Sequence, residues 1–381
     1  MTNEQGEPKK GRKIRVVFGL GSLGPGGMER QFVEQTRFFN REKYDVILVT
    51  LFEHPGAPNL YGELPHDLSV HRFDFKGWVD MFSWYRLHRL LKELRPDIVV
   101  SSLFFANTAF RVLRWFIGYR VIAREHNTYI DKGIIARLID RVLANSSNCI
   151  VAVSTKVANF TAAQEHIPRN RFVIIHNGID IDHVAAQISC QPAVAEIRTE
   201  LGLGVHERIL LNVARLVPQK DHRLLIDGFA QFHESHPEWT LFIVGGGSLQ
   251  KELEDLSRKL GVGNAVRFFG HRDDIWKFYK VAEGLVSSSQ IEGLSNTYLE
   301  AFAAGLPVVA TKTAGTDELI RENQNGYFIQ ERTAESVNVA LETLHRADRA
   351  SMSEACRETA RRCDIRETVR SYEKLFSSII T

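Results

Sequence analysis

Two carboxylates, Glu292 and Glu300, stand with seven residues between them, and Ser295 and Asn296 lie in the gap. Ser and Asn are helix-capping types. A helix predicted over 297–304 therefore starts shortly after Glu292 and carries Glu300 about one turn of 3.6 residues inward. The first N–H groups of such a helix, near Leu294 to Thr297, lack partners within it and attract anions. A phosphate at that tip would leave Glu300 beside the group on one side of it and Glu292 beside the group on the other. Ribose, two phosphates and a sugar have that layout, the layout of a nucleoside diphosphate sugar. The same residues would also serve as a loop carboxylate and a solvated helix face. Arg215 and Lys220 lie in a loop between a predicted strand (209–213) and a predicted helix (223–232). Two cations with helix-tip amides neutralise a diphosphate of about two charges without a metal, or else are simply solvated. His126, just past a strand predicted over 120–124, sits where open α/β sheets bind ligands; a lone histidine there also serves structure. Gly26-Gly27 and Gly245-Gly246-Gly247 let backbone approach a ligand without Cβ interference, or merely turn strand into helix.

The pair of glutamates, followed by Ala301-Phe302-Ala303-Ala304-Gly305-Leu306-Pro307-Val308-Val309, resembles the signature of the retaining glycosyltransferases of family four, glycosyltransferase group 1. The resemblance covers nearly the whole chain from about Lys13 and is most specific in the second half. It implies an α/β protein of two Rossmann-like domains facing across a cleft (GT-B), with the C-terminal helix crossing back to the N-terminal domain. It implies domains at 12–185 and 195–362, acceptor-binding and nucleotide-sugar-binding respectively, and a closing helix within 363–381. In that family the second glutamate, here Glu300, holds the ribose hydroxyls, and the first, Glu292, contacts the donor sugar. An arginine and a lysine spaced as Arg215 and Lys220 bind the diphosphate. A histidine placed as His126 touches the donor sugar, often at its C6 hydroxyl, and a Gly-Gly-x-Glu turn like that at Gly26-Gly27 approaches the donor phosphate or the acceptor. Backbone near Gly270-His271 meets the nucleobase. The implied catalytic set is His126, Arg215, Lys220 and Glu292. The implied donor-binding set is Gly26, Gly27, Gly245, Gly246, His271, Gly293, Leu294, Ser295, Asn296, Thr297 and Glu300. Two positions depart from the family pattern: Asp221 replaces the glycine usual after the lysine, and Ala314 stands where glycine is commoner.

The elements that position these residues are legible as alternating apolar runs and amphipathic stretches. Strands are predicted over 14–18, 46–51, 70–73, 98–101, 120–124, 149–154 and 173–175. A linker of small, polar residues is predicted over about 182–194, and a second α/β series begins at 209. Gly19, Gly21 and Gly24 match the dinucleotide fingerprint, which read literally means an NAD enzyme. Pro25-Gly26-Gly27 delays the helix too far for that reading, and no acid follows at the expected strand end. The stretch 76–94 is aromatic and basic, a candidate to rest on a bilayer surface. Residues 1–11 read as a disordered leader without an apolar signal-peptide core.

At 381 residues, 44% hydrophobic and 25% charged, the chain builds substantial cores in two or three domains. Residues 1–185 carry 25 Lys and Arg against 19 Asp and Glu, the remainder 23 against 27. That bias suits an anionic acceptor or the inner face of a membrane and is too small for nucleic acid. Cys149, Cys190, Cys356 and Cys363 lack metal spacing and read as reduced thiols of a cytoplasmic protein. The function expected is sugar transfer from a nucleotide-diphosphate sugar, such as a UDP-sugar, to a glycan or lipid-linked saccharide hydroxyl. Polysaccharide or lipopolysaccharide biosynthesis at the cell surface is the setting, with no cofactor and no metal. Rivals are an epimerase-like sugar-nucleotide enzyme and a non-catalytic nucleotide-sugar-binding module. Whether Glu292 is a nucleophile or a positioning group stays open.

Overall fold

Runs such as Val16-Val17-Phe18, Ile98-Val99-Val100 and Leu241-Phe242-Ile243 have no polar face, the pattern of parallel strands covered on both sides. In the computed structural model, which describes residues 12–380, all of them are buried strands. The expected leader lies outside the described residues. The chain divides into two units, Met1–Asn177 with Ile365–Thr381, and Gly178–Asp364.

The first unit runs β1 (Ile14–Leu20), α1 (Gly27–Thr36), β2 (Tyr44–Thr50), β3 (Ser69–Arg72), α2 (Met81–Leu94), β4 (Ile98–Ser102), α3 (Phe104–Ile117), β5 (Arg120–Glu125), α4 (Ile134–Leu143), β6 (Cys149–Ala152), α5 (Thr155–Glu165) and β7 (Phe172–Ile174). Its parallel sheet has the order β3-β2-β1-β4-β5-β6-β7. The second unit continues with α6 (Ile181–Ser189), α7 (Val194–Glu200), β8 (Arg208–Val213), α8 (His222–Ser235), β9 (Trp239–Val244), α9 (Gln250–Lys259), β10 (Val266–Phe268), α10 (Trp276–Val281), β11 (Gly284–Ser287), α11 (Asn296–Ala303), β12 (Val308–Thr311), α12 (Thr316–Leu319), β13 (Gly326–Ile329), α13 (Ala334–Arg346) and α14 (Arg349–Arg362). Its parallel sheet is β10-β9-β8-β11-β12-β13. The chain then returns to the first unit as α15 (Ile365–Ile380), whose Val369, Tyr372 and Phe376 join that core. Phe376 stacks on Phe39 at 6.1 Å and meets Tyr44 edge-on at 5.7 Å. Both units are doubly wound, Rossmann-like folds.

The expected linker at 182–194 is mostly helix. Asp180 caps α6 by accepting from His183 N at 3.0 Å, and Val184 is buried, so local capping and one apolar contact override a small, polar composition. The strand order reverses between β1 and β4 in the first unit and between β8 and β11 in the second. Ligands bind at such switch points, outside the carboxyl ends of the strands. Two non-glycine residues hold left-handed backbone there: Leu103 (φ 72°) after β4 and Asp221 (φ 46°) after β8. Among the described residues no helix is long and apolar enough to cross a membrane.

Candidate active site

The second unit's switch point gathers most of the residues singled out above. The loop leaving β8 carries Arg215 and Lys220; the loop leaving β11 carries Glu292 and Gly293 and feeds α11. Lys220 Nζ forms an ion pair with Glu292 Oε1, and Ser289 Oγ donates to the same oxygen at 2.9 Å. The two loops are sewn together by Gln290 N to Gln219 O at 2.8 Å and by Gln219 Nε2 to Ile291 O at 2.9 Å. Arg215 is exposed and has no ion-pair partner among the described residues. Glu300, on the first turns of α11, is fixed by the buried Tyr279 hydroxyl of α10, which donates to its Oε2 at 2.7 Å. Burial, reinforced by the Glu300 charge, holds the Tyr279 phenol well above its ordinary range, so it stays a donor. Ser295 occupies the N-cap position of α11, but its hydroxyl meets Thr297 Oγ1 at 2.9 Å and makes no cap bond. Of the two capping candidates, Ser295 thus takes the N-cap position without its hydroxyl closing a cap bond.

The glycines have specific reasons. A Cβ on Gly245 (φ 137°) would lie 2.0 Å from Ala214 O, and one on Gly247 would lie 2.3 Å from Leu216 O. Leu216 N donates to Gly246 O at 3.0 Å, and Gly245 N to Gly270 O at 2.7 Å. These glycines therefore pack the β9 exit against the Arg215 loop and the Gly270-His271 turn. A Cβ on Gly246 would meet only His271 N, at 3.9 Å, an ordinary contact. The His271 side chain points to solvent, 3.6 Å from Asp273. Gly315 accounts for the tolerance of Ala314: a Cβ at 315 would meet Gly293 O at 2.0 Å, whereas Ala314 only donates its N–H to Glu292 O at 3.1 Å.

In the first unit, Gly26 is the N-cap of α1 and Gly27 its first residue; Arg30 N donates to Gly26 O at 2.9 Å. The Glu29 carboxylate folds over this turn, 2.2 Å from where a Gly26 Cβ would be. His126 follows β5 directly, its Nε2 3.4 Å from Ser102 Oγ at the end of β4. Burial, with Arg124 next to it, holds the imidazole well below its ordinary range, so it is neutral at pH 7. Behind it lies a buried ionic cluster: Arg111 Nη1 meets Asp140 Oδ1 at 2.6 Å, and Lys132 pairs with both Asp140 and Glu165. Asn107 Nδ2 reaches Glu125 Oε1 at 3.3 Å. Burial among these carboxylates pushes the Glu125 carboxyl up to about 8.

The model of the group described as "Glycosyl transferases group 1" matches residues 194–362, and that of "Glycosyltransferase Family 4" matches residues 25–183. The chain belongs to the group 1, family four glycosyltransferases. An uncharacterized glycosyltransferase of Haemophilus influenzae is 24% identical over 340 residues, 86% of this chain and 88% of that protein. The lipopolysaccharide core biosynthesis glycosyltransferase LpsE of Rhizobium meliloti is 32% identical over 151 residues, 40% of this chain and 43% of that one. The crystal structure of Anabaena Alr3699/HepE in complex with UDP superposes with a TM-score of 0.81 at 20% identity, covering 96% of this chain and 100% of that one. The architecture of this glycosyltransferase is therefore GT-B.

Sequence reasoning missed several partners in the glycosyltransferase. His222, the first residue of α8, is buried with Nε2 3.0 Å from Asn212 Oδ1, and burial beside Lys220 lowers it to about 4. Ser289 and Tyr279, which hold the two glutamates, gave no signal beyond small-residue and core types. Asp221 sits at a left-handed position, which explains why glycine is usual there. The aspartate compensates by capping α8 through Leu224 N at 3.4 Å and pairing with Arg332. Among the described residues, one trio has metal-ligand spacing, His236, Glu238 and His345. It lies at the opposite, N-terminal end of β9, and the Nδ1 of His345 already faces Trp239 Nε1 at 3.1 Å and Arg208 Nη1 at 3.0 Å.

Proposed function

We propose that this glycosyltransferase moves a sugar, with retention and without a metal, from a nucleotide-diphosphate sugar to a hydroxyl of a glycan or lipid-linked saccharide. The observation that carries the reading is the Lys220–Glu292 pair at the β8/β11 switch point, with the α11 N-terminus beside it and Glu300 fixed one turn inward. A diphosphate at the helix tip draws Lys220 and the exposed Arg215 onto its oxygens. Glu300, held by Tyr279, then accepts from the ribose hydroxyls. Glu292, anchored through Oε1, faces the sugar.

As the sugar–phosphate bond breaks, negative charge grows on the departing diphosphate. Arg215, Lys220 and the α11 amides stabilise it, the kind of preorganised electrostatic effect that dominates many active sites. A neutral His126 is suited to donate one hydrogen bond and accept another at sugar hydroxyls. Because Glu29 covers the Gly26-Gly27 turn, that turn offers an acidic acceptor for hydroxyl protons, a better match to a saccharide acceptor than to a phosphate. UDP in the Anabaena structure supports a uridine nucleotide, and the lipopolysaccharide role named for the Rhizobium relative supports a cell-surface glycan acceptor.

The test is a thermal-shift and hydrolysis screen of UDP-, GDP- and ADP-sugars in EDTA. One nucleotide family should raise the melting temperature and release its diphosphate slowly, and the transferred sugar should keep the donor's anomeric configuration by NMR. Activity lost in EDTA and restored by Mn²⁺ would exclude the metal-free reading. A shift without any turnover in the presence of saccharide acceptors would favour a binding module.

A further inference from the structure

Asp221 follows Lys220 directly and holds a left-handed backbone, which a residue other than glycine keeps only where its surroundings impose it. Two of its contacts are long: Leu224 N reaches Oδ1 at 3.4 Å and Gln290 Nε2 reaches Oδ2 at 3.5 Å. Ser288 Oγ ties the main chain, donating to Asp221 O at 2.7 Å and to Lys220 O at 3.1 Å. The charged contact comes from Arg332, 111 positions away in the chain, whose Nη2 pairs with Asp221 Oδ2. A charge-assisted bond of this kind is stronger than the neutral bonds around it.

The same guanidinium also holds the second loop. Arg332 Nη1 donates to Ser288 O at 3.4 Å and to Ser289 O at 3.3 Å, the first residues past β11. Both serines are buried, and Thr311 Oγ1, at the end of β12, donates to Ser289 O at 2.5 Å. Ser289 Oγ is the hydroxyl that holds Glu292. One planar fork therefore spans the loop that carries Lys220 and the loop that carries Glu292. A lysine ammonium is a point charge and has no second nitrogen with which to span them.

Helix packing sets where Arg332 stands. It lies between β13 and α13, flanked by the bonds that start that helix: Thr333 Oγ1 accepts from Ser336 N at 3.2 Å, and Ser336 Oγ accepts from Glu331 N at 3.1 Å. Helix α13 lies tight on α8, since a Cβ on Gly228 would come within 2.3 Å of Val337 Cβ and 2.8 Å of Ala334 O. Arg332 thus transmits the position of a packed helix to a turn held otherwise by local bonds. The Arg332 and Asp221 side chains are 42% and 23% exposed, and a pair so hydrated adds little to folding stability. What it supplies is placement.

We propose that Arg332 is a positioning residue for sugar transfer: by clamping Asp221 to the Ser288 and Ser289 carbonyls it fixes Lys220 where the departing diphosphate needs it. The proposal rests on the donor reading above. A cation stabilises developing charge only from the right place, and a displacement of about 1 Å can cost roughly 10²-fold in rate. The test combines hydrolysis of UDP-glucose with hydrogen exchange of the full chain, in wild type, Arg332→Met, Arg332→Lys, Lys220→Met and Arg332→Met with Lys220→Met. Arg332→Met should lower kcat about tenfold with KM little changed, and Arg332→Lys should not restore it. In the Lys220→Met background the same change should have no further effect, because the arginine acts through that lysine. Amides over 217–221 and 288–292 should exchange about tenfold faster in Arg332→Met, while the melting temperature hardly moves. Full kcat in Arg332→Met, an equal fall in the Lys220→Met background, rescue by Arg332→Lys, or unchanged exchange in both loops would overturn the proposal. Lys220→Met as active as wild type would instead refute the donor reading. Exchange needs no donor, so it decides whether Arg332 clamps the loops even for a wild type inactive on UDP-glucose.

Discussion

Replacing Lys220 by methionine separates two roles that the geometry allows for it. The lysine is either the counter-ion that holds Glu292 in place or the cation that takes up charge from the leaving diphosphate. The two side chains are only 18% and 14% exposed, so their pairing acts in a medium well below water in dielectric. At an effective dielectric near 20, charges about 4 Å apart attract by about 4 kcal/mol, an upper bound before desolvation is subtracted. Deleting one partner of a fully buried pair costs about 3–5 kcal/mol. Here Ser289 Oγ still donates to Glu292 Oε1 after Lys220 is lost. About 2 kcal/mol of folding stability is therefore expected to go, below that range. Glu292→Gln should restore most of it, because no uncompensated charge remains. Turnover discriminates between the roles. If Lys220 meets the diphosphate, Lys220→Met lowers kcat by roughly 10²–10³, about 2.7–4 kcal/mol, in the wild-type and Glu292→Gln backgrounds alike. If it only neutralises Glu292, the loss vanishes in the Glu292→Gln background. The assay is donor hydrolysis and transfer with each of the four proteins, alongside urea unfolding. A Lys220→Met step within about threefold of unity in the Glu292→Gln background refutes the diphosphate role.

Tyr279→Phe removes the hydroxyl that fixes Glu300; donor KM should rise about tenfold with kcat little changed, as for loss of about 1.4 kcal/mol of uniform binding. Steady-state kinetics check it, and an equal fall in kcat would place Glu300 at the reacting centre instead. Asp221→Ala keeps the left-handed strain but loses the cap and the Arg332 pair, so it should unfold about 1–2 kcal/mol more easily than Asp221→Gly, which relieves the strain. Urea midpoints of the two variants decide it. Glu125 has a folded-state pKa raised to about 8, far above the unfolded value near 4.3. The folded state thus holds a proton that the unfolded state releases, and stability falls as pH rises from about 4.3 to 8 and levels beyond. In Glu125→Gln that contribution is gone, so the variant's melting temperature should gain on wild type across this window. An unchanged difference from pH 5 to 8 would show that Glu125 is ionised in the fold.

Much of the fold was legible because parallel strands covered on both faces announce themselves as unbroken apolar runs, and the helices between them carry a periodic face. The sequence was misleading where a small contribution decided the outcome. Over 182–194, composition argues for a linker, but one capping aspartate and one buried valine make α6. That Arg215, Lys220, Glu292 and Glu300 gather at one switch point was legible because they lie in the loops that leave two parallel strands or in the helix that follows one of them. What the pattern could not give was pairing. That Lys220 rests on Glu292, or that Tyr279 holds Glu300, depends on contacts between loops 72 residues and a helix 21 residues apart in the chain, and no local signal encodes them.

The apolar face of α4 was hidden for the opposite reason. Its pattern of Ile and Leu reads as a core-facing stripe, because apolar periodicity specifies a face without saying which way it points. Direction was decided by Asp140 on the opposite side. A carboxylate is rarely buried unless paired, and here Arg111, from α3, and Lys132, from the loop ahead of α4, meet it inside the unit. Stripping a partner from a buried charge costs several kcal/mol, more than re-exposing any one of these aliphatic side chains. The ionic cluster therefore fixes the rotation of the helix and leaves the stripe of Ile134, Ile135, Leu138 and Val142 outside. Two features that look unrelated in the sequence, a buried charge network and a surplus of exposed isoleucine and leucine, are then the two sides of one helix.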